Sequence, residues 1–127
     1  MVNKKGEIQV VRILVLFGLA SLMGACATIT ESSPVTVSPS SADGSQWAIT
    51  GKAETGMLYD DVTLYVNGAV VAEGRLGPNA SDHRDVHIAG DYQHHIVLGI
   101  CSRTDSDPIT YTCDMFVDGT AAGTLRW

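Results

Sequence analysis

All four histidines of this chain, His83, His87, His94 and His95, fall between Asp82 and His95, interleaved with Asp82, Asp85 and Asp91. Imidazole and carboxylate are ligand types for zinc or copper, and His-rich tracts commonly bind metal. Spacing divides the group. If "DVHIAGDY" and "HIVLGI" pair through a turn at Gln93 and His94, His87 stands opposite Ile100 and His95 opposite Tyr92. The two histidine rows are then roughly 17 Å apart at about 3.3 Å per residue, too far for a single ion. Two smaller subsites survive, His83 with His87 at a loop end and His94 with Asp91 near the turn. The competing reading is a set of exposed histidines that only titrate, lessening the acidity of the surface between pH 5 and 8.

Other chemistry is sparse. Asp60 and Asp61 form a carboxylate pair in sequence, but they directly precede "VTLYV" and read more economically as the turn that starts a strand. There is no Gly-x-Ser-x-Gly elbow, no His-Glu-x-x-His helix and no phosphate-cradling glycine loop. No catalytic residue is assigned and no enzyme activity is expected. Three cysteines remain, Cys26, Cys101 and Cys113, an odd count that an exported chain has to account for.

The front of the chain supplies the account. "MVNKKGEIQVVR" is positively charged, and Ile13 to Ala25 is an uncharged apolar run of about 13 residues. That is the pattern of a secretory signal, too short for the ~20 residues a bilayer-spanning helix needs. The run closes on "LMGAC", with Gly24 and Ala25 before Cys26. This ending resembles the lipobox of bacterial lipoproteins, in which the cysteine carries diacylglycerol and becomes the first mature residue. Met23 departs from the pattern, since the family usually has Leu there and this chain has it one place early, at Leu22. An ordinary signal cleaved after "ACA" is the alternative.

By that resemblance Cys26 is the lipidation site, and Ala27 rather than Asp after it implies sorting to the outer membrane of a Gram-negative cell. The covalent lipid ties the chain to a membrane, tightly, because each buried methylene contributes about 0.8 kcal/mol. Lipidating Cys26 leaves Cys101 and Cys113 as a disulfide pair in an oxidising compartment. The ring they close, "CSRTDSDPITYTC", is worth about 3 kcal/mol in the chain-entropy model.

Residues 1–25 thus read as signal, and 26–45 as the lipidated cysteine and a flexible tether rich in Ser, Thr and Pro. Such a coil of about 19 residues reaches roughly 25 Å. Residues 46–127 form one domain, for the mature length is too small for two. Asp and Glu outnumber Lys and Arg by 14 to 8 over the whole chain, so nucleic acid is not an expected partner.

Seven segments, "QWAIT", "VTLYV", "AVVAEGRL", "DVHIAG", "HIVLGICS", "YTCDMFV" and "TAAGTLRW", carry β-branched and aromatic residues between turn signals. They predict an all-β fold, a small antiparallel β-sandwich or sheet of about seven strands built from hairpins. Asn67-Gly68 and Asp118-Gly119 each favour the positive φ of a two-residue type I′ hairpin. Their flanks echo each other, "TLYVNGAVVAEGRL" against "DMFVDGTAA-GTLRW" with one gap, as one supersecondary unit used twice, either by duplication or by convergence on a favoured hairpin.

A two-residue turn fixes the expected register. Val62, Leu64, Val66, Ala69 and Val71 would share one face, and Thr63, Tyr65, Val70, Ala72 and Leu76 the other. In the second hairpin Cys113, Met115, Val117 and Ala122 would oppose Phe116, Ala121 and Leu125. Strands apolar on both faces suit the middle of a sandwich, or a sheet whose outer face meets something else. The acidic loops "LGPNASDHRD" and "SRTDSDPIT" are placed at the ends, and Trp127 as a cap on the core at a sheet edge. The functional expectation is a non-enzymatic, lipid-anchored periplasmic binding or assembly module at the outer membrane. Its protein partner would meet a sheet face at Tyr65, Val70 and Leu76, or the edge of the last hairpin. The alternative is a zinc- or copper-binding lipoprotein using His83, His87, Asp91 and His94.

Overall fold

The computed structural model describes residues 28–39, 44–77, 85–105 and 108–127. They form nine strands: β1 (Thr28–Glu31), β2 (Val35–Val37), β3 (Trp47–Thr55), β4 (Asp60–Val66), β5 (Ala69–Leu76), β6 (Val86–Tyr92), β7 (His95–Thr104), β8 (Thr110–Val117) and β9 (Thr120–Arg126). One sheet runs β1-β3-β4-β5 with β2 also on β3, and the second runs β6-β7-β8-β9. Every pairing is antiparallel. The inward side chains alternate along the strands and close one core around Trp47, Ile49, Leu64, Ile88, Met115 and Leu125. The sheets abut along β5 and β6, where a Cβ on Gly90 would lie 1.9 Å from the Val71 carbonyl oxygen. At the other seam β2 lies on β9, with Val35 over Gly123.

The seven expected segments are β3 to β9, and the two further strands correct the tether. Residues 28–37 do not hang free; β1 and β2 pair along β3, from Thr28 opposite Thr55 to Val37 opposite Trp47. Their Ser/Thr composition hid them because β1 is exposed along its whole length and contributes ladder hydrogen bonds rather than core. Between them Pro34 lacks a donor for the ladder, and Ser32 bridges the break. Its backbone N–H donates to the Gly51 carbonyl and its Oγ accepts from the Gly51 N–H, both at 2.8 Å.

Asn67 and Gly68 have φ of 51° and 82°, and Asp118 and Gly119 have 48° and 80°, the type I′ geometry the dipeptides favour. Beyond each turn the expected register fails at a β-bulge. Tyr65 pairs with Val70 but Leu64 with Ala72, and Phe116 pairs with Ala121 but Met115 with Gly123. One extra residue on β5 and on β9 reverses the alternation that follows. Leu76 is therefore 3% exposed and Leu125 fully buried, both inside rather than on the outer faces.

The same bulge removes the gap from the internal echo. Leu64 matches Met115, Asn67 matches Asp118, Ala72 matches Gly123 and Leu76 matches Trp127 in unbroken order. Tertiary contacts repeat as well. The Asn67 N–H donates to the Ala48 carbonyl and Asn67 Oδ1 accepts from the Ala48 N–H, at 2.8 and 2.9 Å. Asp118 makes the same two bonds with Ile96, at 2.9 and 2.8 Å. The fold is one meander used twice and laid face to face.

Cys101 and Cys113 are bonded directly across β7 and β8, as the cysteine count required. Both are fully buried.

Candidate functional surface

Strand alternation sorts the chemistry first. Asp60 points inward and is 0% exposed, whereas Asp61 points outward and bonds Arg75 Nε at 2.8 Å. The two carboxylates are not a pair. Asp60 Oδ2 accepts from Arg103 Nη1 and from the Tyr111 hydroxyl, the latter at 2.9 Å, and Tyr111 also meets Thr55 Oγ1 at 2.8 Å. Arg103 Nε continues to Asp105 at 2.7 Å. Burial works against the Arg103 cation, but its hydrogen bonds to Asp105 and Asp60 and their charges prevail and raise its pKa. Burial also pushes the Tyr111 hydroxyl above its ordinary range, opposed by the Thr55 bond and reinforced by Asp60. Tyr111 thus stays a neutral donor, and the cluster joins β4 of one sheet to β7 and β8 of the other.

What this cluster holds is a loop. The Gly56 N–H donates to the Tyr59 carbonyl at 3.1 Å and to Asp60 Oδ1 at 3.3 Å. A Cβ on Gly56 would sit 2.4 Å from the Tyr59 oxygen, so the close approach needs glycine. Met57 and Leu58 crown the loop, 97% and 69% exposed. At the same end Trp127 exchanges backbone hydrogen bonds with Tyr111 and stacks on its ring at 5.5 Å, while its indole packs against Gly51. The "LGPNASDHRD" and "SRTDSDPIT" connections both leave from this end as well. Of the first, residues 78–84 lie outside the described residues.

The opposite end carries the three hairpin turns and an aromatic joint. Trp47 makes edge contacts with Tyr92 at 4.9 Å and with His95 at 5.3 Å, and Asn67 Nδ2 donates to the Tyr92 hydroxyl at 3.2 Å. His95 Nδ1 lies 2.6 Å from Asp118 Oδ2. The His95 bond, then the Ile96 N–H, hold the Asp118 carboxyl below its usual pKa. A depressed carboxylate stabilises the fold above its unfolded pKa near 3.9, and that contribution is lost as pH falls through the folded value. Asp118→Asn keeps an oxygen for Ile96, as Asn67 does for Ala48, but cannot titrate. Its acid unfolding, followed by far-ultraviolet circular dichroism, is expected to depend less on pH below about 4 than that of the parent.

The histidine segment falls apart in space. His87 pairs with Ile100 and His95 with Tyr92, and the turn at Gln93 and His94 has positive φ at both residues. His87 and Asp91 are exposed on β6, about 13 Å apart along the strand. His83 lies outside the described residues. Among the described residues no three His, Cys, Asp or Glu side chains come together as a metal-ligand set.

The outer faces of the two sheets differ, and the duplication makes the difference informative. On the first sheet Tyr65, partly exposed, and Val70, 57% exposed, lie in one row with Thr50. Leu76, the third residue expected there, belongs to the core. Around that row the surface is charged: Lys52, Glu54, Asp61, Glu73 and Arg75 face outward, several of them lining a shallow depression of about 450 Å³. On the second sheet three of the matching positions are apolar, while those of Glu54, Asp61, Glu73 and Arg75 are taken by Ser102, Thr112, Thr124 and Arg126. Leu98 stands where Thr50 does, Ile100 where Lys52 does, and Phe116 where Tyr65 does. Ala89, Leu98, Phe116 and Ala121 are successive cross-strand partners, a row spanning all four strands. Ile96, 58% exposed, and Ile100 flank it along β7, with Asp91 opposite Ile96 and with His87 and Asp114 opposite Ile100 as a polar rim. No described strand lies over this face. "HIVLGIC" carried the signal, being apolar at both alternations, but the length of the exposed row emerges only from the register of four strands.

Fold and surface together define a class, a two-sheet antiparallel β-sandwich of two like meanders with one disulfide, one polar outer face and one outer face crossed by an apolar row. No protein-family model, curated protein or solved structure matches the chain.

Proposed function

We propose that the protein is a lipid-anchored, non-enzymatic binding module at the outer membrane. It faces the periplasm and presents the apolar outer face of β6–β9 to a protein partner. One observation carries the reading: in two copies of the same meander, the residues over one sheet are Thr50, Lys52 and Tyr65, and over the other Leu98, Ile100 and Phe116. The scaffold's needs are alike in both halves, so the apolar set answers to something outside the chain. A contiguous exposed apolar patch is the usual mark of an interaction surface. Side-chain packing on this face takes precedence over strand addition to the last hairpin, because Val35 of β2 already covers Gly123 on β9. The lipid anchor rests on the lipobox resemblance at Cys26.

A photo-crosslinking residue at Leu98, with a second at Thr63 on the polar face as control, tests the reading in intact cells. A discrete adduct from Leu98 that is absent from Thr63 and abolished by Phe116→Asp is the expected result. Equal adducts from both faces, or none from Leu98, would contradict it. Phe116 is half-buried between Leu98 and Ala121, so Phe116→Asp is expected to cost about 1 kcal/mol without unfolding the domain, and circular dichroism of the purified variant checks that it stays folded.

A further inference from the structure

We propose that the loop end of the sandwich docks onto the phospholipid surface in which Cys26 is anchored, through Met57, Leu58 and Tyr59, and so stands the domain upright on the membrane. The inference rests on the reading that Cys26 is acylated. Chain length carries it. Cys26 precedes Thr28 by two residues, at most about 7 Å of extended chain. Thr28 pairs with Thr55, the residue next to Gly56, where the exposed loop begins. Acyl chains on Cys26 therefore enter the bilayer beside Met57 and Leu58, and no long tether lets the domain turn another side to it.

The composition of that end fits a lipid interface. Met57 and Leu58 are the most exposed large apolar side chains among the described residues, and the bonds from Gly56 to Tyr59 and Asp60 hold their loop in place. Tyr59 is half exposed with the Arg75 guanidinium 5.7 Å from its ring centre. An aromatic ring beside a long cationic side chain is the pairing that favours the headgroup level. Ile29 on β1 and Ile109 ahead of β8 add exposed apolar surface at this end. Glu54, Asp61, Asp85 and Asp105 surround it and oppose anionic headgroups, so the lipid this end takes is zwitterionic. With the loop end down, the apolar face of β6–β9 stands across the membrane plane, accessible from the side.

The test uses the full acylated protein in vesicles of phosphatidylethanolamine and phosphatidylcholine, spin-labelled at Leu58→Cys or, at the opposite end, at Thr120→Cys. Paramagnetic resonance then compares collisions with oxygen, which concentrates in lipid, and with a nickel chelate, which stays in water. The label at residue 58 is expected to meet oxygen and lose nickel, and the label at residue 120 to do the reverse. In a Met57→Ser, Leu58→Ser background a label at Ile109→Cys is expected to lose its shielding from nickel. Equal nickel access at residues 58 and 120 overturns the docking, as does shielding of residue 58 from both reagents, which would mean burial against protein. Growth with an alkyne fatty acid separates the two readings. Without label on Cys26 the anchor and the docking both fall; with label and a nickel-accessible residue 58, only the docking falls.

Discussion

Asp60→Ala is expected to cost about 3 kcal/mol, the lower end of the range for breaking a buried ion pair by removing one partner. The lower end applies because Arg103 keeps Asp105 as a partner after Asp60 is lost. Tyr111 and the Gly56 N–H each lose an acceptor in the same change. For a domain of this size the corresponding fall in Tm is roughly 12–24 °C. Thermal unfolding by circular dichroism measures it. A buried pair is costly to break but not necessarily stabilising to have, so Asp60→Leu with Arg103→Met is expected to recover part of the loss. A double variant as unstable as the sum of the singles would show no coupling between the two charges and would place the loss in their other partners, Tyr111, the Gly56 N–H and Asp105. Hydrogen exchange at the Gly56 N–H is expected to rise in Asp60→Ala beyond what global stability explains, because Asp60 Oδ1 accepts from it at the loop base.

Removing the disulfide is the second large effect. Cys101→Ala with Cys113→Ala releases a loop of 12 residues' separation, for which the chain-entropy model gives about 3 kcal/mol. Two small core vacancies add to this, since both side chains are fully buried, with the Cys101 sulfur beside Gly99. Urea unfolding is expected to show a lower midpoint with a similar slope. Burial of both sulfurs also fixes a rate: dithiothreitol can reach them only when the sandwich opens, so reduction is expected to track global unfolding. Reduction much faster than unfolding, measured on the same sample, would mean that β7 and β8 separate on their own.

The sequence was most informative where local rules operate. Seven strands, both Asn-Gly and Asp-Gly hairpins, the Tyr92–His95 pairing and the cysteine partnership follow from turn chemistry, alternation and an odd cysteine count. Non-local geometry was not legible. Ser, Thr and Pro in residues 28–37 look like a coil because β1 and β2 bury little, and their ladder partner lies on β3. The bulges after Tyr65 and Phe116 leave no unambiguous mark in composition, yet each decides whether Leu76 or Leu125 faces core or solvent. Asp60 reads as a turn residue until Arg103, far along the chain, arrives beside it. The apolar row is half visible, since alternation puts Phe116 and Ala121 together on one face of the last hairpin; Leu98 and Ile100 join them only through the register of β7.

We propose that this sandwich works while fastened at Cys26, and the intact mass of the protein extracted from membranes without chelator is the decisive test. The predicted species begins at Cys26, carries acyl chains, is two hydrogens light for the Cys101–Cys113 bond and holds no metal. An unacylated chain would contradict the anchor and the membrane address together, and a stoichiometric zinc or copper would move the site to the histidine segment.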